Sequence, residues 1–290
     1  MIVTKNRVKD LRECLQSLQQ QTQALDELVV IDNHSKDDTR KTIKEFAETV
    51  TFPVRCILEK KIGFPIIYNR GLKESKYNWI AFIDDDCVAG KNWFLNIKKA
   101  VVVNRNIAAI LGYSDAYYAD NIYSLATFFF NYQWKENGSN KNGEILDLEI
   151  LDNRNIVYNK NFLNKKKLTF DESRIGKYKG GAEDCDLGMQ VQLKKGRAIY
   201  KKDISVKHKD PTTFSSYFKK LVISVRAYET YKIKWSAFRE NLPVFSRLKA
   251  RDLFPQFTKK YDLSLWQKVS LFGILLLTII VKKIILAVWK

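Results

Sequence analysis

Trp79-Ile80-Ala81-Phe82-Ile83-Asp84-Asp85-Asp86 is an apolar run closed by three consecutive carboxylates. Aromatic and branched residues in an unbroken run predict a strand buried on both faces, the kind found inside parallel sheets. In open α/β sheets the ligand crevice lies just beyond the carboxyl ends of the strands. Adjacent carboxylates there repel one another unless a cation sits between them. A hard divalent ion such as Mg²⁺ or Mn²⁺ takes oxygen ligands of this kind and commonly shares them with substrate phosphates. The alternative is a solvated acidic turn that caps the next helix.

Upstream and downstream of this run, strand and helix signals alternate. Strands are expected at residues 2–4, 28–32, 54–58, 79–84 and 107–111. Helices are expected between them: one with Val8, Leu11, Leu15 and Leu18 on a single face, one capped by Asp37 or Asp38 and running to about Thr49, and others over 65–75 and 93–103. Repeated βα units of this length imply an α/β fold whose mainly parallel sheet has right-handed crossovers and flanking helices. The chain has neither G-x-G-x-x-G nor G-x-x-x-x-G-K-[ST], so dinucleotide and P-loop readings lack their loops. The pattern then changes to an aromatic stretch, Phe128 to Trp134, followed by a polar loop over 136–143. Short strands are expected near 145–151 and 155–158. Gly180-Gly181-Ala182 leads into a helix from about Glu183 to Lys195, with Gly196 as a C-cap candidate.

The chain has 290 residues, 46% of them hydrophobic, and a net charge of +18. That length fits one large domain, or one domain with an appendage. Its four cysteines (Cys14, Cys56, Cys87, Cys185) form no C-x-x-C pair, so neither a disulfide framework nor a zinc site is expected. No secretory signal is expected from the first residues, which contain no long apolar region. From residue 226 to 290, 13 Lys/Arg stand against 4 Asp/Glu, a net +9, so half the excess lies in the tail. There it alternates with Trp235, Phe238, Phe245, Phe254, Phe257 and Trp266 and precedes an uncharged run, 269–281. That combination favours a membrane surface over nucleic acid. The run is 13 residues long, about 20 Å as a helix and short of the roughly 30 Å hydrocarbon core. Adding Lys282-Lys283 and Ile284 to Trp289 gives enough length but puts two cations well inside, so an amphipathic or shallow anchor on the cytoplasmic leaflet is expected rather than a span. The division expected is a catalytic domain over 1–225 and a basic helical tail over 226–290.

Asp32 ends the second strand as Asp84 ends the fourth, so both are expected to face one crevice. An acid there suits a nucleotide's base or ribose; the alternative is a turn-capping role in Asp32-Asn33-His34-Ser35. Asp38 reads as a helix cap and His34 as surface loop. Gly181-Ala182-Glu183-Asp184-Cys185-Asp186-Leu187 places glycine, which allows close backbone approach, before three acids in one first turn. Those acids either complement the helix dipole or include a base that takes a proton from an attacking hydroxyl. His208, after Ile204-Ser205-Val206, is a core histidine or an imidazole ligand to a metal otherwise held by oxygens, which would suit Mn²⁺. Phe128 to Trp134 is either an open aromatic stacking platform or ordinary packing. Cys87 and Cys185 read as small packing residues.

Taken together, the motifs resemble those of family 2 glycosyltransferases, which have the GT-A fold. The resemblance covers about residues 2–225. It rests on Val3-Thr4-Lys5-Asn6-Arg7 (family P-T-x-N-R) and on residues 29–39, which are similar to V-V-D-N-x-S-x-D-x-T. It rests also on Gly63-Phe64-Pro65 leading to Asn69-Arg70-Gly71-Leu72 (R-N-x-G-L), on Asp84-Asp85-Asp86 at the D-x-D position, and on residues 181–187 at G-x-E-D-x-D-L. The resemblance implies an inverting, metal-dependent transferase that uses Mn²⁺ or Mg²⁺ and a UDP-, GDP- or dTDP-sugar, with a glycan or lipid-linked acceptor. It implies that Thr4 and Asp32 contact base and ribose, that Asn69, Asp84 and Asp85 belong to the donor site, and that Asp86 holds the metal, with His208 a further ligand. It implies Asp184 as general base, with Glu183 contacting acceptor or donor sugar. Two positions depart from the family: Val3 replaces the motif proline and Tyr68 replaces the arginine before Asn69, so Arg70 or a lysine would have to neutralise diphosphate. Two competing readings remain. A nucleotidyltransferase would require a glycine-rich loop that residues 1–7 lack, and a non-catalytic basic membrane adaptor would leave both acidic clusters idle.

Overall fold

The computed structural model describes residues 1–140, 143–175, 181–239 and 249–288; Gly180 and Phe245, named above, lie outside them. In chain order the elements are β1 (Ile2–Thr4), α1 (Val8–Gln19), β2 (Leu28–Asp32), α2 (Thr39–Ala47), β3 (Val54–Leu58), α3 (Phe64–Glu74), β4 (Trp79–Ile83), β5 (Cys87–Ala89), α4 (Trp93–Val103), β6 (Ala109–Ala116) and α5 (Ile122–Gly138). A 3₁₀ turn (Leu148–Ile150) follows, then β7 (Asn155–Asn159), α6 (Lys160–Lys166), α7 (Glu183–Leu193), β8 (Ala198–His208), α8 (Phe214–Lys234), α9 (Ser236–Arg239), α10 (Ala250–Lys260) and α11 (Leu265–Val288).

β1, β2 and β3 are parallel, as the repeated βα units predict. β4 lies beside β1, where Ile83 N donates to Met1 O (3.1 Å). Beyond it the sheet is mixed, in the order β4-β7-β6-β8-β5. β7 runs antiparallel to β4 and β6, while β6 and β8 are parallel. Alternate residues of the strands feed two cores. Ile2, Val30 and Ile83 pack with Leu11 and Leu15 of α1, Phe46 of α2 and Trp93 of α4. Val3, Ile31 and Phe82 pack with Ile67 and Tyr68 of α3 and Leu187 of α7 on the opposite face. The result is a helix–sheet–helix sandwich.

Three sequence expectations change. The aromatic stretch 128–134 is helical, inside α5, and Phe128 and Phe129 are fully buried against Phe257 of α10, with centroids 5.8 and 5.0 Å apart. Packing, not an open platform, is what these two rings provide. The short strand near 145–151 is instead an isolated bridge at Ile145 and the 3₁₀ turn, started by Asp147 Oδ1 accepting from Glu149 N (3.1 Å). The apolar tail forms a single helix of 24 residues, because Lys282 and Lys283 continue it rather than end it. Residue 225 itself falls inside α8.

Gly188 is where α7 meets the 3₁₀ turn: a Cβ there would lie 1.9 Å from Leu148 O. Gly188→Ala is expected to lower unfolding free energy in urea by about 1–3 kcal/mol through overpacking. Gly273→Ala, with nothing within 4 Å of the new Cβ, is expected to be neutral or to stabilise α11 by about 0.5–1 kcal/mol.

Candidate active site

The carboxyl ends of β1, β2 and β4 bring the first set of predicted residues together. Thr4 and Asp32 are register partners. Thr4 Oγ1 donates to Asp85 Oδ2 (2.7 Å). Asp32 is fully buried; its Oδ1 accepts from Ser35 N (2.9 Å), and Arg40 Nε lies 3.3 Å from Oδ2, which accepts no hydrogen bond. Asp32 therefore closes the turn, and its second oxygen is ion-paired with Arg40. At α2 the capping work falls to Asp37, which accepts from Thr39 N (3.2 Å), Thr39 Oγ1 (2.6 Å) and Val8 N (3.1 Å), while Asp38 makes no capping bond.

β5 follows the aspartates immediately, and its antiparallel pairing places Cys87 opposite His208 at the end of β8. That register brings His208 Nε2 to 3.4 Å from Asp86 Oδ1. One ligand atom each from Asp84, Asp86 and His208 lies within 4.8 Å of the others. Arg7 spans the neighbouring oxygens, donating to Asp85 Oδ1 (2.9 Å) and Asp86 Oδ2 (2.7 Å). His208 Nδ1 lies 3.2 Å from Asp210 Oδ1, which accepts from Lys220 Nζ of α8 (3.0 Å). Arg7, Asp86, Lys209, Asp210, Ser216 and Lys220 line an open cleft of about 440 Å³.

The electrostatics follow from this packing. Burial, reinforced by Asp86 and Asp85, raises the Asp84 carboxyl far above its ordinary range. Asp85 is pushed up to about 6 by burial, against the pull of Arg7. For Asp86, burial acts upward too, but His208 and Arg7 outweigh it and hold the carboxyl below the usual range.

The second acidic set sits at the start of α7. Gly181 (φ 99°) and Ala182 (φ 57°) are left-handed, turning the chain so that Glu183 and Asp184 point inward at the helix N-terminus. Asp184 accepts from Cys185 N (2.8 Å) on Oδ1 and from Asn153 N (3.4 Å) on Oδ2. Burial, then the charge of Asp152, raises Asp184 to about 6; burial, then Asp184, raises Glu183 to about 8. Glu183 Oε2 is buried without a hydrogen-bond partner. Asp186 faces away, tied to Lys234 Nζ (2.6 Å) and Trp235 Nε1 (2.8 Å), and anchors α7 to the end of α8.

Residues 152–154 touch both acidic groups. Asn153 N reaches Asp184, while Arg154 O accepts from Asp84 N (3.4 Å). Asp152 grips Arg154 through both oxygens (2.9 Å each to Nε) and pairs with buried Lys135 of α5 (3.1 Å). Sequence reasoning missed this triad and Asp210: Asp152–Arg154 and His208–Asp210 are local i,i+2 pairs that carry no motif, and Lys135 reaches Asp152 only through tertiary folding. The polar Asp152-Asn153-Arg154 set between apolar Leu151 and a buried strand was the available signal. Asn69 is not brought into the group: its amide donates to Phe170 O (2.9 Å) and accepts from Phe170 N (3.0 Å), clamping α3 to that segment. Tyr68 is buried among Phe64, Phe82 and Phe170, and Arg70 pairs with Glu74 (3.0 Å).

With this geometry in view, comparison with known proteins is decisive. The sequence profile described as "Glycosyl transferase family 2" matches residues 1–169, more than half of the chain. The chain belongs to that family. Over 113 residues it is 29% identical to chondroitin synthase of Escherichia coli, covering 38% of this chain and 16% of that protein. Over 95 residues it is 26% identical to glycosyltransferase AglE of Haloferax volcanii, covering 32% and 31%. The chain thus spans less than a third of the length of either relative. Among solved structures, a mannosyltransferase from Pyrobaculum calidifontis in complex with GDP-Man and Mn²⁺ superposes with TM-score 0.61 at 16% identity, covering 94% of this chain and 72% of that one. Residues 1–349 of Staphylococcus aureus TarS in complex with UDP-GlcNAc give TM-score 0.55 at 16% identity, covering 96% and 80%. The family member described here has the GT-A fold those structures share.

Breaking the buried triad at its acid leaves two cations uncompensated. Asp152→Asn is expected to cost about 3–5 kcal/mol of unfolding free energy in urea. The Asp152 carboxyl is held well below its ordinary range: burial acts upward, and Arg154 and Lys135 outweigh it. Its stabilisation is therefore present above the unfolded-state value and is lost as pH falls through the folded one.

Proposed function

We propose that this protein transfers a sugar from a nucleoside-diphosphate sugar to a hydroxyl group, with inversion at the anomeric carbon. The observation that carries the reading is the 152–154 segment, which meets the Asp84–His208 side through one residue and Asp184 through the next. Thr4 and Asp32, at the neighbouring strand ends, would hold base and ribose, with Asp84 and Asp85 beside them.

The donor set for a metal fits. Two carboxylates and an imidazole suit Mn²⁺, and Mg²⁺ if the carboxylates dominate. Asp86 Oδ1 is buried without a hydrogen bond, and the unfavourable charge on Asp84 is the kind a divalent ion relieves. Asp84, Asp86 and His208 would hold the ion, which when bound supplies stabilisation of charge on the leaving diphosphate. Asp210 beside Nδ1 orients the His208 ring, with Lys220 holding Asp210 in turn. Arg7, Lys209 and Lys220, along the cleft, provide cations for the diphosphate where Tyr68 and Arg70 do not.

Asp184 would take the proton from the acceptor hydroxyl. Two backbone N–H groups fix its orientation, and burial makes it a stronger base than a solvated carboxylate while leaving it ionised at neutral pH. Glu183, protonated up to about 8, would donate a hydrogen bond to a sugar oxygen. The acceptor we favour is a lipid-linked or surface glycan, with the 1–225 catalytic unit held at the cytoplasmic face of a membrane by the basic 226–290 tail. The support is the tail's net +9 and the apolar length of α11.

Asp184→Asn is expected to lower kcat by about 10²–10⁴-fold while leaving nucleotide-induced thermal shifts intact. The wild-type rate should rise with pH through about 6, as Asp184 loses its proton. Thermal shifts with UDP, GDP and dTDP in the presence of Mn²⁺ would identify the nucleotide, and EDTA should abolish turnover. Asp210→Asn is expected to weaken Mn²⁺ binding by about 10–100-fold in an electron paramagnetic resonance titration. Unchanged Mn²⁺ affinity would leave Asp210 no orienting role.

A further inference from the structure

We infer that α11 lies flat in the surface of an anionic membrane, with its outer face in the lipid, and that this posture holds the cleft close to that surface. This builds on the reading that the tail meets a membrane but is independent of catalysis. α11 presents two faces. Leu271, Leu275 and Thr278 form one stripe, at i, i+4 and i+7, buried in the protein where α11 packs on α5 and α8. On the outer side Trp266 is 80% exposed, Phe272 59%, Leu276 50%, Ile280 46% and Ile284 56%. An apolar face this long, on one side of one helix and uncovered among the described residues, is a surface built for a partner.

At 24 residues, α11 would be about 36 Å long, enough to cross a bilayer. Its packing argues against crossing. Thr278 lies near the midpoint of the helix, and its Oγ1 is 2.6 Å from the buried Tyr217 hydroxyl of α8. Lys220 is one turn along α8 from Tyr217 and grips Asp210, itself beside His208. A span centred on α11 would carry Lys220, Asp210 and the exposed Lys219 toward the middle of the hydrocarbon, where charge is costly. Lying in the plane instead, α11 buries its outer face while the cleft stays in water, about one helix diameter away.

Charge selects lipid over a second copy of the chain. α11 carries Lys268, Lys282 and Lys283 and no acid, within a tail of net +9. A two-fold pairing of these faces would set like charges together, whereas anionic headgroups complement them. Lys282 is already folded inward over the Phe130 ring (4.2 Å to its centroid), which leaves Lys283, at i+7 from Leu276 and i+3 from Ile280, as the exposed cation on an otherwise apolar outer face.

The test uses the full chain with phosphatidylcholine vesicles, with and without phosphatidylglycerol. Co-sedimentation with the phosphatidylglycerol vesicles, weakened by salt, is expected. The Leu276→Glu/Ile280→Glu variant should bind about ten-fold more weakly or less. Cys56 is the exposed cysteine, the other three being buried, so spin labels at Trp266→Cys, Leu276→Cys and Ile284→Cys can be placed in a Cys56→Ser background. Similar shallow depths at all three are expected. A depth profile deepest at 276 would mean a span and overturn the proposal. Vesicle binding unaffected by the double variant would put the contact elsewhere, and self-association without vesicle binding would make the occupant a second copy. None of these outcomes touches the transfer assay, so the two readings fail separately.

Discussion

Asp84, Asp85 and Asp86 put three carboxyl groups within a few bonds of one another at the buried end of β4, and each must find a cation or a proton. The rest of the site can be read as the answer to that demand. Arg7 reaches back from the start of α1 to bridge Asp85 and Asp86. His208 arrives from β8 and leaves one Asp86 oxygen without a hydrogen bond. For Asp84 the pull of Arg154 is outweighed by burial and by its acidic neighbours, and its carboxyl rises accordingly. A pocket organised this way is biased toward accepting positive charge. The cations along the cleft would complement a ligand that brings more negative charge of its own, such as the diphosphate of the proposed donor.

The second acidic group uses the opposite strategy. Glu183 and Asp184 are buried and close together, with no lysine or arginine paired to either carboxylate among the described residues, and what holds Asp184 is backbone N–H. Hydrogen bonds favour ionisation less than a full charge does, so burial wins and both carboxyls rise. The nearby Asp152–Arg154–Lys135 triad is closed by short paired contacts, and the Asp152 charge adds to the upward push on Asp184. The same functional group thus sits in two electrostatic settings, one beside an imidazole and a guanidinium and the other with its proton affinity raised by burial.

The first half of the fold was legible because each buried strand is short, apolar and ended by a polar residue, and local pattern suffices for such elements. The aromatic stretch of α5 was not. A run such as Phe128-Phe129-Phe130 has no polar face to announce a helix, and its partners, Phe254, Phe257 and Leu271, arrive from the far end of the chain. The tail had looked like an appendage for the same reason. In the structure Lys260 of α10 reaches Asp115 of β6 (2.9 Å), and α10 and α11 share a core with α5 and α8. Of the predicted donor residues, Asn69 uses its amide to clamp the Phe170 backbone, a use that the motif spacing alone does not reveal.

The meeting of His208 with Asp86 depends on an irregularity that no local pattern announces. β6 and β8 pair evenly from Ala109↔Ala198 to Gly112↔Lys201, then skip to Tyr113↔Ser205, with a bulge on β8. Asn155 of β7 fills the break: its Nδ2 donates to Tyr113 O (2.9 Å) and Ile204 O (2.8 Å), and its Oδ1 accepts from Trp93 Nε1 (2.8 Å). Gly112 leaves room for that amide, since a Cβ there would lie 2.3 Å from Asn155 Nδ2. After the skip, β8 reaches β5 in the register that pairs His208 with Cys87, one residue past Asp86. A slip of one residue would turn the imidazole to the other face of the sheet. The placement of His208 against Asp86 is therefore set by a buried asparagine and a glycine in the middle of the sheet, neither of which touches that pair.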